Sequence, residues 1–172
     1  ALRAEGGGVL GIFDRGGACV RAAAGTSDRS LLVMLPRGDY TALTRPLAGA
    51  GAAGGLVTLR ALAAVPIESD GEGDPVLIGA RDQSLYRFTV RAPGRVGCGI
   101  RAQSDTLSAA LFDGRFTQLG TGRIFVRDLT PGTYYLLVSA GGTPQRYAPV
   151  VYGLAGERTD VPDSIVKSYR GE

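Results

Sequence analysis

Residues Leu129–Val138 read LTPGTYYLLV, and their turn chemistry decides the fold class. Pro131-Gly132 predicts a tight turn, because proline presets φ and glycine accepts turn conformations. Tyr134 follows two residues after the glycine, where a tyrosine buries its ring and hydrogen-bonds to the backbone at the corner of a β-sandwich. We therefore expect a structural role, not an active-site role, for Tyr134 and for Tyr40 in the similar stretch LPRGDYTAL.

Strand patterns fill most of the chain. The 27 glycines and 9 prolines follow no Gly-x-y period, so they indicate many tight turns between short strands. In Tyr86–Val90, YRFTV, apolar and polar residues alternate, as in a half-buried strand. Strands are predicted over Val9–Asp14, Ala18–Ala23, Ser30–Met34, Tyr40–Thr44, Leu56–Ala63, Ser84–Arg91, Val96–Ala102, Leu107–Phe112, Gly122–Asp128, Thr133–Ser139 and Ala148–Gly153. The chain is predicted to be all-β.

The sequence also contains an internal repeat, which divides it into two modules. Three segments align in the same order and with similar spacing: Ala1–Asp14 with Gly99–Asp113, Leu35–Leu43 with Leu129–Leu137, and Leu56–Ala63 with Ala148–Ala155. We expect two tandem antiparallel β-sandwich modules of jelly-roll or Ig-like type, at residues 1–64 and 76–157. The acidic, Gly- and Pro-rich residues 65–75 are predicted to be a linker, and residues 158–172 a tail with a short helix within Asp160–Tyr169.

Module one has no counterpart of the predicted strand Ser84–Arg91 in module two. It is therefore expected to lack its N-terminal strand, either because the chain is a fragment or because another segment fills the gap. The open sheet edge is expected beside Ala1–Ala4.

Composition excludes several kinds of chemistry. Histidine is absent, which excludes Ser-His-Asp and Cys-His catalysis, and two cysteines alone cannot complete a structural zinc site. Cys19 and Cys98 permit one disulfide, but the sequence does not show whether they meet. The net charge is +3 with basic residues spread along the chain, so no nucleic-acid surface is expected. No apolar run is long enough to span a membrane. We predict no enzyme and no organic cofactor.

One acidic motif suggests a cation. Asp70, Glu72 and Asp74 form DGEGD, in which alternate carboxylates of a Gly-rich loop can turn oxygens onto calcium. The set is incomplete, because no distal bidentate glutamate follows. The alternative interpretation, an acidic linker exposed to water, is preferred.

Two further motifs have structural explanations. Asp14 and Asp113 end matching strands beside glycine turns, and we interpret them as turn residues and not as an acid–base pair. Arg37-Gly38-Asp39 spells a cell-adhesion tripeptide, but in the repeat it aligns with Pro131-Gly132-Thr133, so we interpret it as a turn with Gly38 at positive φ.

Several motifs together resemble the bacterial pre-peptidase C-terminal domain family. They are the YxFxV strand at Tyr86–Val90, the Gly-containing strand Val96–Ile100, and L-x-P-G-x-Y-x-L-x-V at Leu129–Val138. Asp105–Asp113 reads D-x-L-x-x-x-L-x-D, one residue shorter than the family pattern D-x-x-L-x-x-x-L-x-D. Fibronectin type III shares the L-x-P-G-x-Y turn, but its usual core tryptophan is missing here. The resemblance implies a non-catalytic appendage of a secreted protein, and some members of the family bind matrix, polysaccharide or calcium.

The leading functional prediction is a non-catalytic binding or scaffolding module of an exported bacterial protein, located outside the cell or in the periplasm. Its expected partner is a protein or polysaccharide surface, or neighbouring copies of itself. The alternative is a structural subunit of an extracellular or cell-surface assembly, completed by a strand from a neighbour.

Overall fold

A computed structural model describes residues 2–4, 8–25, 29–33, 35–46, 57–103 and 106–156. All regular secondary structure in this part of the chain is β, as predicted. It therefore contains no helix of a length and hydrophobicity that would cross a bilayer. The chain divides into two compact units, Ala1–Ala61 and Leu62–Glu172.

The second unit is the larger β-structure. Its described strands are β7 Ala64–Ile67, β8 Gly71–Glu72, β9 Val76–Ile78, β10 Gln83–Val90, β11 Gly94–Ala102, β12 Leu107–Phe112, β13 Gln118–Gly122, β14 Ile124–Leu129, β15 Gly132–Ala140 and β16 Gln145–Tyr152. One sheet has the order β13-β12-β15-β10-β7, and the other has the order β14-β11-β16-β8, with β9 also paired to β16. All these pairings are antiparallel except that between β7 and β10.

Side chains of both sheets meet in one core. Phe88 and Leu136 belong to the first sheet, and Cys98, Tyr147 and Val151 to the second, and all five are buried in the same hydrophobic cluster. Two sheets that share one core form a β-sandwich. The second unit therefore has the predicted fold class.

Strand β10 shows why this sequence forms the sandwich. Tyr86, Phe88 and Val90 are buried, whereas Arg87 and Thr89 are exposed, so the alternation in the sequence matches the two faces of the strand. β10 lies between β15 and β7, and both neighbours protect its edges.

The first unit is smaller. Its described strands are β1 Leu2–Ala4, β2 Gly8–Asp14, β3 Cys19–Gly25, β4 Arg29–Leu31, β5 Tyr40–Arg45 and β6 Val57–Leu59. They form two three-stranded antiparallel sheets, β4-β1-β6 and β3-β2-β5. Leu2, Ala4, Leu10, Ile12 and Leu31 form the core between them.

The sequence alignment pairs β1, β2, β5 and β6 with β11, β12, β15 and β16, and chain order then matches β3 and β4 with β13 and β14. Under this matching, β4-β1-β6 has the same order as β14-β11-β16, and β3-β2-β5 the same order as β13-β12-β15. The register agrees as well, because Phe13 lies opposite Thr41 and the matching Phe112 lies opposite Tyr135. Both hairpins shift register at the same place, before these phenylalanines.

The prediction of an open sheet edge beside Ala1–Ala4 is wrong. β1 lies between β4 and β6 and pairs with both, so Leu2–Ala4 is the central strand of its sheet. The reason is topological: the strand without a counterpart, β10, belongs to the other sheet and pairs with β15. Among the described residues, the place that corresponds to β10 is the free side of β5.

The prediction that residues 65–75 form a linker is also wrong. Within Val65–Pro75, β7 pairs with β10 and β8 pairs with β16, so this stretch supplies edge strands to the second sandwich. Backbone pairing overrides the turn-like composition here. The helix predicted within 160–169 lies outside the described residues, as does all of 158–172.

Candidate binding site at an open sheet edge

Strand β5 is an edge strand whose outer side is unpaired in the described part of the chain. It pairs with β2 alone, in the order β3-β2-β5. The N–H of Asp14 donates to the carbonyl oxygen of Ala18 at 3.0 Å, so it points away from β5. Because backbone groups alternate in direction along a strand, the amide of Phe13 points towards β5, opposite Thr41. Thr41 and Leu43 therefore point their N–H and C=O groups towards β2. The backbone groups of Tyr40, Ala42 and Thr44 point the opposite way, to the free edge.

The second unit shows what this place looks like when it is occupied. There the N–H of Ala140 in β15 donates to the carbonyl oxygen of Asp82, which precedes β10, at 2.9 Å. Leu136 and Val138, which face the core of that unit, are both 0% exposed. The matching residues of β5, Ala42 and Thr44, are exposed.

An apolar side chain also lies on the outer face of β5. Leu43 is 54% exposed, whereas the matching Leu137 is buried beside Leu85 of β10. An exposed large apolar residue beside unpaired backbone groups is a template for a further strand. The edge is bounded at its end by Pro46, which has no N–H to offer.

A tyrosine corner holds the start of β5 in place. The hydroxyl of Tyr40 donates to the carbonyl oxygen of Pro36 at 3.0 Å, just as that of Tyr134 donates to the carbonyl oxygen of Thr130 at 2.9 Å. The predicted structural role of both tyrosines is thus present in the structure. The expectation about Gly38 is wrong, because its φ is not positive; a Cβ there would make an ordinary 3.5 Å contact with the Tyr40 ring.

The three carboxylates of the suggested calcium site have different surroundings. Asp70 accepts hydrogen bonds from the backbone N–H groups of Gly153 and Leu154, at 2.9 and 3.0 Å. Glu72 accepts one from Arg101 at 2.8 Å, and Asp74 is exposed. Within the described ranges no three acidic, histidine or cysteine side chains are grouped as metal ligands. Asp70 and Glu72 therefore have protein partners, and calcium binding stays a prediction.

Asp14 and Asp113 shape the turns in which they lie. A carboxylate oxygen of Asp14 accepts from the N–H of Ala18 at 2.9 Å. One of Asp113 accepts from the N–H groups of Arg115 and Thr117, at 2.9 and 2.7 Å. These bonds match the turn interpretation of both residues.

The sequence reasoning missed a buried pair of hydroxyl groups. Tyr86 and Tyr147 lie within 2.6 Å of each other through their hydroxyl oxygens, and their rings meet edge to face. Burial raises the pKa of the Tyr86 hydroxyl, and the hydrogen bond to Tyr147 adds to this. Cys98 is a buried free thiol whose pKa burial raises to about 12, whereas Cys19 is an exposed free thiol. Both tyrosines lie in strands that the sequence predicts or partly predicts, Tyr86 in β10 and Tyr147 at β16. Their contact joins two different sheets, and the sequence pattern does not show which residues of two sheets meet.

Comparisons with known proteins find distant structural similarity and do not assign the chain to a family. No family model matches the chain, and no curated protein matches it. Among solved structures it is similar to the pre-peptidase C-terminal domain of a collagenase from Bacillus anthracis, with 15% identity over 55% of this chain and 100% of that chain, at a TM-score of 0.46. It is also similar to PliG, a periplasmic lysozyme inhibitor of g-type lysozyme, from Aeromonas hydrophila, with 16% identity over 52% of this chain and 95% of that one, at a TM-score of 0.43. The PliG of Salmonella Typhimurium gives 12% identity, 52% and 97% coverage, and a TM-score of 0.37.

Proposed function

We propose that this chain is a non-catalytic binding module of an exported bacterial protein, and that it binds a protein partner through the free edge of β5. The observation that carries the proposal is the combination of unpaired backbone groups on β5 with the 54% exposed Leu43 beside them. Such an edge binds a polypeptide by adding a strand to the sheet, with main-chain hydrogen bonds providing affinity.

A non-catalytic role is supported by how the acidic side chains are used. Asp14, Asp70 and Asp113 each accept hydrogen bonds from backbone N–H groups of turns. A carboxylate whose oxygens accept these backbone hydrogen bonds stabilises a turn, and we interpret its role as structural. Export, and the option of a polysaccharide partner, rest on the family resemblance of the sequence.

The tandem arrangement belongs to the same proposal. The shared strand order, shared register and matching tyrosine corners support two related modules, of which the first has no strand at the β10 position in its described part. The structural alternative, a subunit of an assembly completed by a neighbouring copy, uses the same edge. A concentration-dependent polymer in light scattering would favour it over a binding module.

The test is site-specific photocross-linking in the native host. A photoreactive residue at Leu43 is expected to give adducts with an exported protein, and Ala42→Pro in the same chain is expected to abolish them, because it removes an edge N–H while the pairing with β2 is kept. Val65 is a matched control position, since it is 53% exposed and also lies on an edge strand, β7. Equal adducts at both positions, or none at Leu43, would overturn the proposal.

A further inference from the structure

We infer that the partner at this edge is an extended segment of another polypeptide that pairs antiparallel with β5 and carries the residue pattern of β10: apolar, aromatic, polar, aromatic, polar, apolar. This inference rests on the proposed function and specifies the chemistry of the partner. Two observations support it. β5 pairs with β2 in the same register in which β15 pairs with β12, and no strand occupies the position of β10 beside β5 among the described residues.

The register of β10 on β15 can be transferred to β5. In the second unit Leu85 lies opposite Leu137, Tyr86 opposite Leu136, and Phe88 opposite Tyr134. The residues of β5 that match these three partners are Leu43, Ala42 and Tyr40. A strand added to β5 therefore places its first apolar residue opposite Leu43, its first aromatic residue opposite Ala42, and its second opposite Tyr40.

Each position of the pattern follows from the surface that it meets. The residue opposite Ala42 points to the core side, and it is large because Ala42 replaces the larger Leu136 and leaves more space. The residue opposite Tyr40 stacks on that ring, as Phe88 stacks on Tyr134 with centroids 5.8 Å apart. The residue opposite Leu43 is apolar because it covers the exposed leucine on the outer face.

The polar positions have a physical reason too. Arg87 and Thr89 of β10 are exposed on the outer face of their sheet. A strand on β5 in the same register presents its corresponding residues to the same outer side, which favours polar side chains there. The pairing ends at Pro46, so the segment needs only about six to eight residues.

A second copy of β5 fits this edge less well. Two β5 strands paired about Ala42 would place Ala42 against Ala42, and Thr44 against Tyr40. The one large side chain that these pairs bring is Tyr40, whereas β10 adds Tyr86, Phe88 and Val90 to its own core. The chemistry of the edge therefore favours a different segment over self-pairing.

The probe is a fluorescent peptide with the sequence of β10, QSLYRFTV, titrated into the full chain and followed by anisotropy. Saturable binding is expected, and a peptide in which both aromatic residues are serine is expected not to bind. Ala42→Pro and Leu43→Lys in the chain are each expected to weaken binding by about tenfold or more, because each leaves buried groups unpaired or adds a charge. Val65→Lys, at an equally exposed edge residue, is expected to leave the affinity unchanged.

The outcomes separate the inference from the proposed function. No saturable binding of QSLYRFTV, or equal binding of the serine peptide, overturns the inference. If the Leu43 cross-link in the host still depends on Ala42, the proposed function stands and only the residue pattern fails. Dimerisation that Ala42→Pro abolishes would show that the occupant is a second copy, which also overturns it. Circular dichroism of each variant confirms that it is folded before its binding is compared.

Discussion

Asp70→Asn distinguishes a structural carboxylate from a calcium ligand. In the structure one oxygen of Asp70 accepts from Gly153 N–H at 2.9 Å and the other from Leu154 N–H at 3.0 Å. Asparagine keeps one acceptor but turns an NH₂ group towards the second N–H, so one charge-assisted bond is lost and the other becomes neutral. Charge-assisted bonds contribute about 1.5–3 kcal/mol, and Asp70 is exposed, so a loss of about 2 kcal/mol is expected.

Thermal unfolding followed by circular dichroism measures this effect. For a unit of roughly a hundred residues, about 2 kcal/mol corresponds to a fall in Tm of roughly 8 °C. Asp74→Asn is the matched control, because Asp74 is exposed and its substitution is expected to change stability by less than about 0.5 kcal/mol. An unchanged Tm for Asp70→Asn in calcium-free buffer would refute the reasoning from these two hydrogen bonds.

The same variants test calcium. If DGEGD holds the ion, millimolar calcium raises the Tm of the unsubstituted chain by mass action, and both variants lose that rise. No rise in the unsubstituted chain removes the calcium hypothesis, while the calcium-free effect of Asp70→Asn is independent of it.

The remaining predictions concern tyrosine and cysteine side chains. Tyr134→Phe removes the 2.9 Å bond to the carbonyl four residues earlier and is expected to lower the free energy of unfolding by about 1 kcal/mol in urea, so an unchanged midpoint would contradict the tyrosine corner. Tyr86→Phe leaves the Tyr147 hydroxyl unpaired and is expected to cost about 1–3 kcal/mol, with the double variant costing less than the sum of the singles; additive values would show that the hydroxyls act independently. Because the pKa of Tyr86 is raised on folding, the folded state keeps a proton that the unfolded state loses above about pH 10, so stability falls as pH rises there and Tyr86→Phe makes the fall shallower. Iodoacetamide is expected to label Cys19 in the folded chain and Cys98 only after unfolding, and mass spectrometry would reveal early labelling of Cys98.

Features that depend on neighbouring residues could be predicted from the sequence. The alternation of β10 and the corner at Tyr134 follow from local side-chain direction and turn chemistry, and both are present in the structure. The turn roles of Asp14 and Asp113 were predicted for the same reason.

Features that depend on distant pairing could not be predicted. β8 has only two residues, and its strand conformation comes from β16, far along the chain. The alignment identified the strand without a counterpart, but not the sheet to which it belongs, so the open edge was placed at β1 and not at β5. The sheet to which a strand belongs is decided by its backbone pairing with other strands. The pairing of Leu2–Ala4 with β4 and β6 leaves no pattern in the residues of Leu2–Ala4 themselves.

The pairing of β10 also has a consequence for folding on the ribosome. β10 ends at Val90, but its antiparallel partner β15 begins at Gly132, so β10 waits for about fifty residues of synthesis. At roughly 5–20 residues per second this interval lasts several seconds. During it β7, which precedes β10 in the chain, is available as a neighbour, but the opposite edge of β10 has no partner. Non-local pairing slows folding and exposes such segments to aggregation. Arg87, a charge in the middle of β10 that faces outward, acts as a gatekeeper during this interval.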